Sequence, residues 1–314
     1  MHSMLVPLAL FGQISSQMRH MSESRMPTPS TPRSSDPRDF QDLDQTVAAM
    51  AKSCPAGFQI PPHSHKRDQL LYAVAGTMRI RTASDAWIVP PDRALYVPAK
   101  VVHSLAMREP VEMRTLYIAR RRGLSLPNTP VVLVVTPLLR ALVLALLEEP
   151  IAYAPHSRAD RIALLILDEI ARARSLDMSI PMPQDVRLLR LCEALIGNPE
   201  LTSTLDGWTE EVGASRRTLA RLFQKECGST FTAWRQRVRF HAAIEALSRG
   251  ATVSEAARQC GYASPSAFTS AFRKSLGISP RSISARVPPD EHHSRSGHGL
   301  SVPAQNAVRQ GTQR

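Results

Sequence analysis

Residues Ser215–Phe223, SRRTLARLF, and Ser264–Phe272, SPSAFTSAF, decide how this chain is read. Each opens with a serine, a residue suited to cap a helix N-terminus. In the first stretch Leu219, Leu222 and Phe223 stand at i, i+3 and i+4, which puts them on one helical face. Arg216, Arg217, Arg221 and Lys225 fall mostly off that face. In the second stretch Phe268, Phe272 and Leu276 make the inner stripe, leaving Ser266, Ser270, Arg273 and Lys274 outside. A short helix with an apolar back and a basic front suits a DNA major groove. The plain alternative for such arginines is a solvated helix face.

The flanks favour DNA. Upstream of the first stretch, LDGWTEEVGAS predicts a short helix with Trp208 and Val212 facing inward and Gly213 in the turn. Helix, glycine turn and helix form the helix-turn-helix layout. DVRLLRLCEALIGNP, from Asp185, predicts an amphipathic helix ending near Gly197–Pro199. Thr230 to Leu247 predicts a longer helix with Phe231, Trp234, Val238 and Ala242 on one stripe. Val253, Ala256 and Ala257 then precede a turn at Gly261, and Ser264 opens the next helix, so the layout is duplicated. A connecting helix of about 18 residues is ~27 Å long at 1.5 Å per residue. With its turns it can hold the two reading helices about 34 Å apart, one turn of B-DNA. The charge is placed accordingly. From Asp206 to Arg281 there are twelve Lys and Arg against six Asp and Glu, within a chain of 314 residues and net charge +12. Such a surplus makes polyanions plausible partners.

The tract from Val186 to Ile283 resembles the DNA-binding domain of AraC-family bacterial transcription regulators. The resemblance rests on SRRTLARLF and on GSTFTAWRQRVRFHAAIEALSRGATVSEAARQCGYASPSAFTSAFRKSLGISP, with GYxSxSAF…FRKxxGxxP the most specific part. It implies that Arg217, Thr218 and Arg221 face bases in the first copy, with Ala220 adjacent, and Pro265, Ser266 and Ser270 in the second. Arg216, Lys225, Ser264 and Arg273 complete the expected DNA-binding set. Trp208, Phe223, Trp234, Phe268 and Phe272 are expected in the core rather than as base-stacking platforms. The family implies double-stranded promoter DNA and RNA polymerase as partners.

The preceding region, Val47 to Ile118, has another pattern. QLLYAVAGTMRIRT, AWIVPP, ALYVPA and MRTLYIA read as short strands punctuated by Pro and Gly, which predicts a small antiparallel barrel or sandwich. Gly57, His63, His65, Gln69 and Gly76, followed by Asp92, Pro98, Lys100 and His103, have the spacing of the two cupin motifs, which this region resembles. Gln69 stands where that family has glutamate, and Asp92 and Lys100 where it has glycine. The resemblance implies that His63, His65, Gln69 and His103 converge inside the barrel, as an effector site or a divalent-metal site. Histidines two apart on a strand share a face. A neutral amide is a poorer divalent-ion ligand than a carboxylate, which favours a small organic effector and argues against catalysis.

TPLLRALVLALLEE, with Thr136 as N-cap and Pro137 at the first helical position, and SRADRIALLILDEIARAR, with Ile162, Leu165, Ile166 and Ile170 on one side, predict two helices. They pack on the barrel or form a homodimer contact. SLDMSIPMPQD reads as a linker, since Pro181 and Pro183 block a helix. Residues 1–46 and 287–314 are polar and rich in Ser, Pro and Arg, which predicts disorder. Cys54, Cys192, Cys227 and Cys260 include no CxxC pair, as expected of reduced thiols. MHSMLVPLALFG lacks the basic flank of a signal peptide. The apolar run from Val131 to Leu147 is broken by Thr136, Pro137 and Arg140, short of the ~20 residues of a membrane span. The expectation is a cytoplasmic, multi-domain α+β protein. It has an N-terminal cupin-like β-barrel at 47–122, a helical linker or dimerisation region at 123–184, and a C-terminal all-α domain with two helix-turn-helix motifs at 185–286. It regulates transcription and is not an enzyme. The alternative is a metal-dependent cupin enzyme fused to a DNA-binding domain.

Overall fold

The computed structural model describes residues 34–120, 125–201 and 204–284. The N-terminal half consists of strands β1 (Val47–Cys54), β2 (Gln59–His63), β3 (Asp68–Ala75), β4 (Met78–Arg81), β5 (Asp85–Val89), β6 (Arg93–Val97), β7 (His103–Met107), β8 (Val111–Ile118) and β9 (Val131–Val134). Helices α1 (Pro137–Glu148) and α2 (Arg158–Arg172) follow, then two short strands, β10 (Ser175–Leu176) and β11 (Ile180–Pro181). The strands form two facing sheets, ordered β1-β8-β3-β6-β9-β10 and β11-β5-β4-β7-β2.

The larger sheet is buried on both faces. Ala48, Met50, Leu71, Ala73, Leu95 and Val97 point to the barrel interior. The alternating Val47, Ala49, Leu70, Tyr72, Ala94 and Tyr96 meet Leu139, Val143, Leu146, Ile162, Ile166 and Ile170 of α1 and α2. Two covered faces explain why QLLYAVA is a continuous apolar run instead of an alternation. Both helices are capped, the first by Thr136 as expected and the second by Ser157.

The tract 123–184 is therefore not purely helical. β9 pairs with β6, β10 with β9, and β11 with β5, so the barrel extends beyond residue 122. The proline-rich stretch is extended rather than loose, and Pro181 sits in the outermost strand of its sheet, where a missing N–H is tolerated. It is clamped from the C-terminal side: the Trp234 indole N–H donates to the Pro181 carbonyl at 2.7 Å, and Arg237 donates to the carbonyls of Ser179 and Asp177.

The expected N-terminal disorder ends earlier than residue 46. Pro37–Phe40 forms a 3-10 turn capped by Asp36. Phe40 is fully buried, with its ring 5.5 Å from that of Tyr117. The Arg67 guanidinium donates to the carbonyls of Gln41, Leu43 and Gln45. Burying one phenyl ring stabilises by about 1.5–3 kcal/mol, enough to order a short segment whose polar composition hides a single anchor. Residues 1–33, 121–124 and the 287–314 tail lie outside the described residues.

The C-terminal unit comprises α3 (Val186–Gly197), α4 (Thr209–Val212), α5 (Arg216–Cys227), α6 (Phe231–Ser248), α7 (Val253–Gln259), α8 (Pro265–Leu276) and α9 (Arg281–Ser284). The first helix-turn-helix closes its core with Leu188, Leu191, Leu219, Phe223 and Trp234, joined by Ile180 and Met182. The second packs Phe240, Ile244, Phe268, Phe272 and Leu276 in a cluster shared with Leu176 and Met178. The single stripe expected on α6 is too narrow. Phe240, His241, Ala243, Ile244, Glu245, Ala246 and Leu247 are all buried, while Ala242 is only half-buried. The helix is flanked by both motifs and by the barrel, to which Arg79 and Glu245 join it with two hydrogen bonds of 2.5 and 2.7 Å. The four cysteines are buried free thiols. Among the described residues no helix is long and apolar enough to cross a membrane.

Candidate nucleic-acid interface and the barrel histidines

Two helices carry the first candidate site. On α5 the Ser215 hydroxyl accepts from the Thr218 N–H at 3.2 Å and lies 3.0 Å from the Thr218 hydroxyl. Leu219 and Phe223 are fully buried, while Arg216, Arg217, Arg221 and Lys225 are exposed. Arg216 approaches Asp206 at 3.7 Å, both of them exposed, a pair too solvated to hold the arginine away from a phosphate. The turn before α5 runs through Gly213 at φ 64°.

The second motif repeats this construction. Thr252 and Glu255 close a reciprocal capping box on α7. Ser264 caps α8, accepting from the Ala267 N–H at 3.2 Å, with Pro265 at the first turn. Ser264, Pro265, Ser266, Ser270, Arg273 and Lys274 are exposed, and Phe268 and Phe272 are fully buried. Counting from the two capping serines corrects one assignment. Ser266 and Ser270 match Arg217 and Arg221, but Pro265 matches Arg216, and the exposed Ala267 stands where the first copy has Thr218. Ala267 was missed because a methyl side chain carries no polar signal; the capping serine was the register mark.

The second candidate site is in the barrel. His63 ends β2 and His103 begins β7, directly opposite each other in the strand register. His65 follows in the connection to β3. The ring centroids lie 4.8 Å apart for His63 and His65, 4.4 Å for His63 and His103, and 5.6 Å for His65 and His103. A ligand nitrogen from each falls within 4.8 Å of the others. His63 Nδ1 faces the Pro61 carbonyl at 2.8 Å and His103 Nδ1 the Val101 carbonyl at 3.0 Å. A carbonyl only accepts, so Nδ1 carries a proton in each ring and Nε2 is the nitrogen left to face a ligand. His65 Nε2 and His103 Nε2 are buried without a hydrogen-bond partner among the described residues.

Burial, then the His63 and His103 rings, pushes the His65 imidazole down to about 4. Burial likewise brings His103 down to about 4, against the pull of the Val101 carbonyl. Gln69 is buried on β3, its amide nitrogen 3.5 Å from the Thr115 hydroxyl and 3.4 Å from the Tyr117 hydroxyl. The Tyr117 ring is 5.1 Å from His65, so Gln69 belongs to the same region, and its Oε1 has no hydrogen-bond partner among the described residues. Thr115 and Tyr117 lie outside both sequence motifs, and no spacing pointed to them.

The motif glycines are explained by the backbone. Gly57 and Gly76 have φ of 81° and 76°. Asp92 and Lys100 adopt the same left-handed region, φ 67° and 66°, so the glycine geometry persists with other side chains. The Lys100 N–H donates to the His65 carbonyl at 2.8 Å, which ties the second turn to the histidine segment. A cavity of about 560 Å3 lies elsewhere: Ser104 and Ala106, which alternate with His103 along β7, help line it, and none of the predicted effector residues do.

A helix-turn-helix domain model matches residues 208–286, and a cupin domain model matches residues 53–119. The HTH-type transcriptional regulator NimR of Escherichia coli is 30% identical over 227 residues, 72% of this chain and 83% of NimR. The HTH-type transcriptional regulator RipA of Corynebacterium glutamicum is 33% identical over 100 residues, 32% of this chain and 30% of RipA. Among solved structures, ToxT from Vibrio cholerae is 12% identical, covering 76% of this chain and 98% of ToxT with a TM-score of 0.32. Two helix-turn-helix units behind a cupin-like barrel define a class of DNA-binding transcription regulator. The chain belongs to the AraC-type HTH transcriptional regulators.

Proposed function

We propose that this regulator reads promoter DNA with α5 and α8 and answers a small-molecule effector through the barrel. The observation that carries the DNA reading is the pair of capped helices with buried backs and exposed fronts, joined by the 18-residue α6. Arg217 and Arg221 each offer a bidentate fork to guanine O6 and N7, Thr218 adds a hydroxyl, and Arg216 and Lys225 reach phosphates. Ser264, Pro265, Ser266 and Ser270 present no long donor, so α8 reads sequence loosely and holds the backbone, with Arg273 on a phosphate. The partners are promoter DNA in the cytoplasm and RNA polymerase bound beside it.

The barrel reading rests on the orphaned histidine nitrogens. Buried polar atoms without partners call for a water, an ion or a ligand. Three converging imidazole nitrogens suit a divalent transition-metal ion such as zinc or nickel. His63, His65 and His103 would hold it, and Gln69 would lie beside it. When bound, the ion would supply a positive charge and a coordination position for an effector's donor atom. On this reading the barrel senses and performs no chemistry. The test replaces His63 and His65 together by alanine in the full chain. Metal content by mass spectrometry and effector response should both fall, with effector-free DNA affinity unchanged. An effector response that survives rejects the site, and turnover by iron- or manganese-loaded protein would point to the enzyme instead.

A homodimer contact through α2 is part of this proposal. Leu164 and Leu165 are 49% exposed each, while the opposite side of the helix is buried on the barrel. Arg161 and Asp168 flank them at equal spacing and are exposed. Two antiparallel copies related by a two-fold axis would set leucine on leucine and Arg161 opposite Asp168 of the second copy. Light scattering of Leu164→Glu protein should show monomer where the unaltered chain is dimeric. A monomer from the unaltered chain at micromolar concentration rejects this contact.

A further inference from the structure

The cavity of about 560 Å3 opens between the five-stranded sheet and the DNA-binding unit. Its volume falls in the range of about 300–1,000 Å3 in which small-molecule sites lie. One wall is the barrel, with Trp87 of β5 and Ala106 of β7. The other is Met182 and Ile196, before and on α3. Met182 belongs to the apolar cluster on which Leu219 and Phe223 of α5 sit. The two arginines of the lining are each answered by a carboxylate: Arg81 by Glu193 at 2.7 Å, and Arg79 by Glu245 at 2.5 Å. No lone charge in this lining asks for a charged ligand.

The geometry points to a binding site, between the barrel and α3, for an uncharged and mostly apolar small molecule. Its occupant contacts both units at once. Widening or narrowing this cleft moves the cluster beneath α5, and through it the base-reading helix relative to the barrel. The inference rests on the effector-response reading and gives it a second address, on the opposite face of β7 from the histidines.

The test titrates the full chain with N-phenyl-1-naphthylamine, an uncharged apolar fluorophore. Ala106→Phe fills the cleft from the barrel wall, and Ile196→Trp fills it from α3. The expected result is saturable binding, at least about tenfold weaker in each filled variant and unchanged when His63 and His65 are replaced by alanine. Should one filled variant melt early, the other decides. Equal binding in the filled variants overturns the site, as does the absence of saturable binding. Binding lost with the histidines and kept in the filled cleft also overturns it. The histidine variant's promoter response speaks to the barrel site alone, so the two readings fail separately.

Discussion

Arg217 and Arg221 are the residues on which the proposed base recognition turns. Each is exposed on α5, four positions apart on one face. Replacing either by alanine should cost about 1–3 kcal/mol of operator binding and relax specificity at one base pair. Fluorescence anisotropy against point-substituted operators measures this; equal weakening on every sequence would mean phosphate contact only. In the barrel, Gly76 is fixed by its own geometry. At φ 76° a Cβ would lie 2.2 Å from the Pro110 carbonyl oxygen. Gly76→Ala should therefore lower stability by more than about 1 kcal/mol, read by urea unfolding, and an unchanged midpoint would contradict the turn as described. Much of this scale was legible beforehand, because motif spacing marks the positions where the backbone must turn sharply. Asp92 and Lys100 looked like departures from the cupin pattern, yet both keep the left-handed backbone of the glycines they replace. Thr115 and Tyr117 were not legible, since they reach Gln69 only across paired strands.

Among the elements, α6 is where periodicity says least. Its apolar residues go nearly all the way round because it packs against two helical motifs and a barrel, and the pattern cannot register three partners. His241 lies within it, fully buried, with neither ring nitrogen hydrogen-bonded among the described residues. Burial, then Arg237 and Arg79, pushes its imidazole down to about 3. The ring is neutral in the fold, whereas the unfolded chain takes up a proton below about pH 6.5. Stability therefore falls as pH drops through the window from about 6.5 to 3, by about 1.4 kcal/mol per pH unit at most for this group. His241→Leu should flatten that slope between pH 6.5 and 5; identical slopes would contradict the burial. The strands β9, β10 and β11 were missed for a related reason. Strands of two to four residues show no alternation, and Pro181 read as a breaker although an outermost strand tolerates it.

At the scale of the whole molecule, the sensor and the reader are joined rather than strung together. The Arg79–Glu245 and Arg81–Glu193 pairs, the Trp234 bond to Pro181 and the cleft beside them bind the barrel to the unit that carries α5 and α8. The two-part architecture could be read from composition and spacing. The docking could not, because it depends on residues up to 166 positions apart in the chain. The central claim is that one chain presents two reading helices to the same side of a duplex. Hydroxyl-radical footprinting of the full chain on the DNA upstream of its gene tests this most directly. Two protected segments centred about 10–10.5 base pairs apart on one face are predicted. A single protected segment, or protection no stronger than on random DNA at moderate salt, would contradict it.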